Sequence, residues 1–440
     1  MLVYPSLYSI MDNSIYVAIL ISFAFFILFY VFSYRKGLYI FEPITIVYVL
    51  YLLIFFVRPF KDLINQDMVT QEGTDISAGC IKGNILLILG LLSLLIGYYS
   101  NSKEKSIFRS SKYTKPISPS LYRSVYNIAI KIWCVSFILT MVYFLGSGFS
   151  FIYVISLGAN GDATLSGDSA LLIFSIFKSC LITSWLYIFI FGKNKLVKLL
   201  TFCLGLVVFI GMGGRSLTIT YLAVPVVYYY ISRMKRPKLS AILVMIVLGL
   251  FLCVVMQTSR TGIRTGEGLS IAKITSESVE SVFYHELTTY KAYYAVVDAL
   301  PERMGYCYGR GIFWYTLIMM IPRALWPGKP NPPIYEVIGV SMDEAAVQGG
   351  AVYPNIGEFY VEFGPVGVVV FMFLFGYLLK HVNILRRCCP AKSNGLILYS
   401  GIFSILLQVI IRGYTPSNFY QVLLVMAPAL IISNYCKKRA

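Results

Sequence analysis

SIYVAILISFAFFILFYVFS, residues 14–33, holds no charged residue and stops at Tyr34-Arg35-Lys36. A helix needs about 20 consecutive apolar residues to cross the hydrocarbon core of a bilayer. The stretch therefore predicts a membrane span with a basic flank at one headgroup level. Outward from it, similar runs recur at 38–57, 83–99, 125–145, 170–191, 197–213, 216–232, 240–257, 364–381, 395–411 and 418–435. The expectation is an all-α, polytopic transmembrane helical bundle of eleven spans. Composition agrees, with 58% of residues hydrophobic and 13% charged, against roughly 25% charged in a soluble domain. So few charges cannot cover a water-facing surface. The 35 Tyr suit interfacial belts, where an amphipathic ring meets the headgroups. No Lys or Arg precedes the first run, whereas a secretory signal opens with a positive region, so run 14–33 is expected to be retained.

The formal net charge is +17. In a soluble chain that would suggest nucleic acid, but here the basic residues cluster in linkers between apolar runs, and no nucleic-acid partner is read. Clusters at Arg35/Lys36, 103–123, 193–198, 233–238, 386–392 and 437–439 alternate with linkers that are mostly poor in Lys and Arg. By the positive-inside rule the clusters are cytoplasmic, which puts the N-terminus outside and the C-terminus inside. The chain then divides into 1–257 with spans one to eight, a long extracytoplasmic loop 258–363, and 364–440 with the last three spans. Within the loop, GIFWYTLIMMIPRALW (311–326) is apolar but short and contains Pro322 and Arg323, so it reads as a re-entrant or interfacial helix. A loop this long is uncommon unless functional. The absence of an internal repeat weighs against an inverted-repeat transporter.

Arginines gather at the outside turns. Arg215 lies in GMGGRS (211–216), Arg260 and Arg264 in SRTGIRTGEG (259–268), Arg323 in IPRALWPGKP (321–330) and Arg412 in IIRGYTP (410–416). Such placement runs against the topological bias. A guanidinium binds phosphate oxygens bidentately, and a neighbouring Gly lets backbone N–H groups approach the anion as well. The competing reading is that each Arg snorkels to headgroups or pairs with a carboxylate. In YPNIGEFYVEFG (353–364), Glu358 is a candidate base or sugar-hydroxyl ligand, while both Glu358 and Glu362 also suit a helix N-terminus. His285, in VFYHEL (282–287), is a candidate proton carrier or a structural residue. Tyr290, Tyr293, Tyr294, Tyr306, Tyr308 and Tyr315 either stack on sugars or pack the loop onto the bilayer surface. Lys131 and Lys178 fall within apolar runs; Lys178, nearer mid-span, has Glu42 or a lipid phosphate as its expected partner. Cys80 and Cys307 are open to pairing if both face an oxidising compartment. With two His in the chain, no Asp-x-Asp in the first outside loop, no P-loop and no G-x-S-x-G elbow, neither a metal nor a cofactor is expected.

Many spans, a long late loop, GGRS, SRTGIRTG, IPRALWPGKP and GEFYVEFG together resemble the Wzy-type O-antigen (oligosaccharide repeat-unit) polymerases. The resemblance covers most of the chain as architecture, and P-R-x-L-W-P-x-K-P with G-E-x-Y-x-x-F-G is its most specific piece. It implies a GT-C-like glycosyltransferase in the bacterial inner membrane, with its active site facing the periplasm. Its substrates would be undecaprenyl-diphosphate-linked oligosaccharides, its surroundings membrane lipids, and a chain-length regulator protein a possible partner. Glu358 and His285 would then be the catalytic candidates, and Arg215, Arg260, Arg264, Arg323 and Arg412 the diphosphate ligands. Outside the cytoplasm there is no nucleotide-sugar supply, so a donor must arrive activated on lipid, and arginines can stabilise its diphosphate leaving group without metal. The alternatives are a lipid-linked oligosaccharide flippase or other transporter, and an O-antigen ligase.

Overall fold

The computed structural model describes residues 5–35, 39–65, 67–70, 73–100, 111–146, 174, 176–211, 215–264, 287–323, 325–342 and 352–439. These residues are helical almost throughout, with two isolated β-bridges, Val69 to Asp75 and Pro116 to Ser393. In chain order the main helices are α1 (Pro5–Arg35), α2 (Pro43–Leu52), α3 (Ser77–Tyr99), α4 (Tyr122–Gly146), α5 (Lys178–Phe191), α6 (Lys195–Gly211), α7 (Arg215–Ser232), α8 (Leu239–Arg264), α9 (Thr289–Ala299), α10 (Pro333–Ser341), α11 (Asn355–Cys388), α12 (Asn394–Ile411) and α13 (Thr415–Arg439). A wider turn at Leu53–Val57 continues α2 into Arg58–Ile64.

Among the described residues, seven helical stretches are long and apolar enough to cross a membrane: Ser14–Val31, Pro43–Ile64, Ser77–Tyr99, Pro119–Tyr143, Asn355–Cys388, Asn394–Ile411 and Thr415–Arg439. Three more expected runs coincide with shorter apolar helices, Lys178–Phe191, Ser216–Ser232 and Ser240–Met256. The expected eleven are therefore not all matched by helices of spanning length. The 14 residues of α5 reach only about 21 Å at 1.5 Å per residue, short of the roughly 30 Å core.

α11 packs along α3 more extensively than any other pair, with α4 on α5 and α7 on α12 next. The α3–α11 contact is close because small residues face each other. A Cβ on Gly97 would stand 2.1 Å from the Phe373 carbonyl oxygen, and one on Gly376 2.2 Å from that of Leu94. In a bilayer, where apolar side chains gain little by leaving lipid, such backbone approach is a main source of helix association.

The region 258–363 differs from a long structureless loop. α8 stays helical to Arg264, α9 and α10 are helices, and α11 begins at Asn355, ahead of the expected span start at 364. Tyr290, Tyr293 and Tyr294 are fully buried against α3. These three tyrosines are core, which corrects the reading of them as sugar-stacking or bilayer-surface residues. α9 is also tied to the end of α2 by charge. Arg58 and Lys291 flank Asp62 at 2.9 and 3.7 Å, Lys291 reaches Asp67 at 2.9 Å, and the Tyr290 hydroxyl donates to Asp62 at 2.5 Å. Buried charges persist only when paired in this way.

Two further expectations change. Lys178 opens α5 rather than sitting mid-span, and Glu42 takes Arg386 at 2.5 Å and Arg387 at 3.1 Å as its cations. Cys80 and Cys307 are both free, buried thiols.

Candidate functional site

α11 starts directly after Pro354, and its first turn carries Glu358. A carboxylate there suits the positive end of the helix dipole. The side chain is 5% exposed, and both its oxygens are held by one residue of another helix. Thr415, first in α13, donates its backbone N–H to Oε1 and its hydroxyl to Oε2, each at 2.7 Å. Glu358 thus caps α13 from across the bundle. Among the described residues it has no cation within ion-pair distance.

The Arg412-Gly413-Tyr414 turn joins α12 to α13 and docks on the start of α11. The Gly413 N–H donates to the Tyr353 carbonyl at 2.8 Å. A Cβ on Gly413 would lie 2.6 Å from the Pro354 oxygen and 2.7 Å from the Asn355 nitrogen, so only Gly fits. The Arg412 carbonyl accepts from Asn418 Nδ2 at 2.7 Å. Its half-buried side chain has no partner among the described residues. Asn355 lies beneath the same turn. Its Oδ1 accepts from the Tyr51 hydroxyl at 2.6 Å, while its buried Nδ2 has no partner among the described residues.

IPRALWPGKP folds into a self-stapled turn beside this junction. Arg323 donates to the Lys329 carbonyl at 2.8 Å and to Asn331 Oδ1 at 2.6 Å. Lys329 donates to the Met319 and Ile321 carbonyls at 2.8 and 3.0 Å and lies 5.4 Å over the Tyr315 ring. Burial, then the charge of Arg323, pushes the Lys329 amine below its ordinary pKa. Burial pushes the Tyr414 phenol well up, helped by Tyr315, Tyr335 and Glu358. The Tyr420 hydroxyl of α13 donates to the Thr316 carbonyl at 2.8 Å.

Three motifs separated in sequence, 321–330, 353–364 and 410–416, therefore meet at one end of the bundle. Ser216, the last residue of GMGGRS, adjoins them: its Oγ donates at 3.1 Å to Gln408, one turn before Arg412. The side chains of Arg215, Arg260 and Arg264, and the whole of His285, lie outside the described residues. Glu362 has a different task from Glu358. Its oxygens accept the Gly309 and Ile312 N–H groups at 2.7 and 3.2 Å, which caps the short helix Arg310–Tyr315. Cys307 and Tyr308 donate their N–H groups to the Val361 and Glu362 carbonyls, seating that segment on α11.

Sequence reasoning passed over Thr415 and Asn355. Thr-Pro at 415–416 signals a helix start, but no local pattern shows that a distant carboxylate would be the cap. Among the described residues, no three His, Cys, Asp or Glu side chains stand close enough to hold a metal.

A bundle of membrane-length helices with an arginine–carboxylate–tyrosine junction at one end defines a multi-pass membrane protein. Residues 1–440 match the family model described as O-antigen polysaccharide polymerase Wzy. The chain belongs to that family and is an O-antigen polymerase, a glycosyltransferase-type enzyme acting on lipid-linked oligosaccharides. The flippase and ligase alternatives are not favoured. No curated protein and no solved structure matches the chain.

Proposed function

We propose that the polymerase moves a growing glycan from undecaprenyl diphosphate onto a new lipid-linked repeat unit at the periplasmic face of the inner membrane. The acceptor sugar hydroxyl attacks the anomeric carbon of the donor, the bond to the diphosphate oxygen breaks, and undecaprenyl diphosphate leaves. Arg412, with Arg215, Arg260 and Arg264, takes the diphosphate charge, while Arg323 holds the neighbouring turn. Glu358 accepts the hydroxyl proton or orients the hydroxyl, with His285 as the other candidate base. The reading is carried by Glu358, a buried carboxylate held by Thr415 beside the Arg412 turn without a cation among the described residues.

The Glu358 end faces the periplasm because the basic clusters lie at the opposite end. Residues 1–257, 258–363 and 364–440 serve as membrane unit, periplasmic region and membrane unit. A chain-length regulator protein is the proposed partner, and no metal takes part. Deleting the gene should leave lipopolysaccharide with a single repeat unit on a gel, whereas a bare core would instead point to a flippase or ligase. Purified protein should elongate undecaprenyl-diphosphate-linked repeats in EDTA; loss of activity restored by Mg²⁺ or Mn²⁺ would refute metal independence.

A further inference from the structure

At the opposite end from Glu358, α5, α7 and α8 line an open apolar groove of about 560 Å³. That size falls within the roughly 300–1,000 Å³ of small-molecule clefts. Its walls include Phe189, Pro225, Tyr229, Tyr230, Ala241 and Val244. α7 fixes its level: the helix starts at Arg215, beside Gln408 and the Arg412 turn, and reaches the groove in its last two turns. The Phe41 ring lies 5.9 Å from Tyr230, placing the groove near Glu42 and away from the diphosphate junction.

The lip of the groove is basic. The Arg233 guanidinium lies 4.2 Å from the Tyr229 ring centre and donates to its hydroxyl at 2.8 Å. Lys198 lies 5.4 Å over the Phe189 ring, on the other wall. Lys235, Arg236 and Lys238 occupy the connection between the two helices that line the groove, and all three are exposed. No Asp or Glu occurs between Asp168 and Glu267, so α5 to α8 carry no carboxylate of their own. Among the described residues, none of these cations forms an ion pair.

We propose that this groove is a binding site for an anionic phospholipid of the cytoplasmic leaflet. An acyl chain lies between Pro225, Tyr229 and Val244, and the phosphate meets Arg233 and Lys198. The occupant must be amphiphilic because the body of the groove is apolar and its lip cationic. Its headgroup must be anionic because nothing on these helices neutralises the lip.

Native mass spectrometry of the full-length detergent-purified protein tests this, with phosphatidylglycerol and phosphatidylcholine of identical acyl chains. Wild type should hold one phosphatidylglycerol about tenfold more tightly than phosphatidylcholine. Arg233→Gln with Lys198→Gln should erase that preference, and Ala241→Trp, which fills the groove, should remove the adduct. Equal retention of the two lipids by wild type, or an unchanged preference in the double variant, overturns the site. Displacement of phosphatidylglycerol by an equal concentration of polyprenyl phosphate also overturns it, assigning the groove to the substrate lipid. If Ala241→Trp fails to fold, the double variant, altered only at the lip, decides the matter.

Discussion

At the Cys388 end of α11 a buried carboxylate, Glu42, faces two guanidiniums, whereas at the Asn355 end Glu358 faces none among the described residues. The Glu42 network is closed. Arg386 also donates to Asn383 at 2.8 Å and lies 4.9 Å over the Tyr39 ring, and Asn383 donates in turn to the Tyr98 hydroxyl at 2.8 Å. Charge, counter-charge and ring face are all used within this network, so the Glu42 cluster holds α2, α3 and α11 together and itself offers little to a ligand. At the Glu358 end the carboxylate binds only a hydroxyl and an N–H, and the nearby Arg412 side chain has no described partner. A buried carboxylate is neutralised internally in the Glu42 cluster, whereas Glu358 and the neighbouring Arg412 keep spare capacity. That capacity is what a charged substrate needs.

The comparison breaks most visibly at Arg412. Arg412→Ala should reduce polymerisation about 10²- to 10³-fold, the usual loss of one charge-stabilising donor, with protein level unchanged on immunoblot. Arg412→Lys should rescue poorly, because an ammonium is a point charge and not a planar fork. Normal chain length in the Lys variant would remove the bidentate role. At the other end the loss should be one of stability. Glu42→Ala leaves the Arg386 guanidinium buried without its counter-charge, which costs about 3–5 kcal/mol; the thermal midpoint should fall sharply. Gly413→Ala should show both effects, since its methyl would press on the Pro354 carbonyl. Overpacking of this kind costs roughly 1–3 kcal/mol, and the displaced Arg412 should lower activity by more than the lost stability explains. A wild-type melting curve for this variant would show that the turn does not dock on α11. The mildest test compares single-cysteine proteins. Burial, and then Glu362, raises the Cys307 thiol to about 11, so maleimide should label it only after denaturation, whereas exposed Cys388 should react at once.

Much of the bundle was legible because hydropathy alone marks a lipid-facing helix, and the long apolar runs found helices where expected. The region around α9 was harder. Tyr290, Tyr293, Tyr294 and Val297 form an i, i+3, i+4, i+7 stripe, the pattern of a buried helix face. Tyr also belongs to interfacial belts, however, and residue type favoured the surface reading over periodicity. In the site, Arg412 and Glu358 were singled out by their Gly neighbours and their position near helix ends, and they do lie on adjoining turns. Their linkage through Thr415 was not legible, because it depends on a contact between residues 57 apart. Arg323 shows the opposite limit: a P-R-x-L-W-P block suggested anion binding, while its guanidinium staples its own turn.

The initial rate of glycan transfer by purified Glu358→Gln and Glu42→Gln, each normalised to folded protein and compared with wild type, tests the division between the two ends most directly. Gln keeps the size of Glu and a hydrogen-bonding carbonyl but cannot take a proton or carry charge. Glu358→Gln should lose at least about 10²-fold, the lower end of what a positioned general base contributes, while Glu42→Gln should retain the wild-type rate per folded molecule. A wild-type rate in Glu358→Gln, or an equal loss in folded Glu42→Gln, would contradict the assignment of chemistry to the Glu358 end.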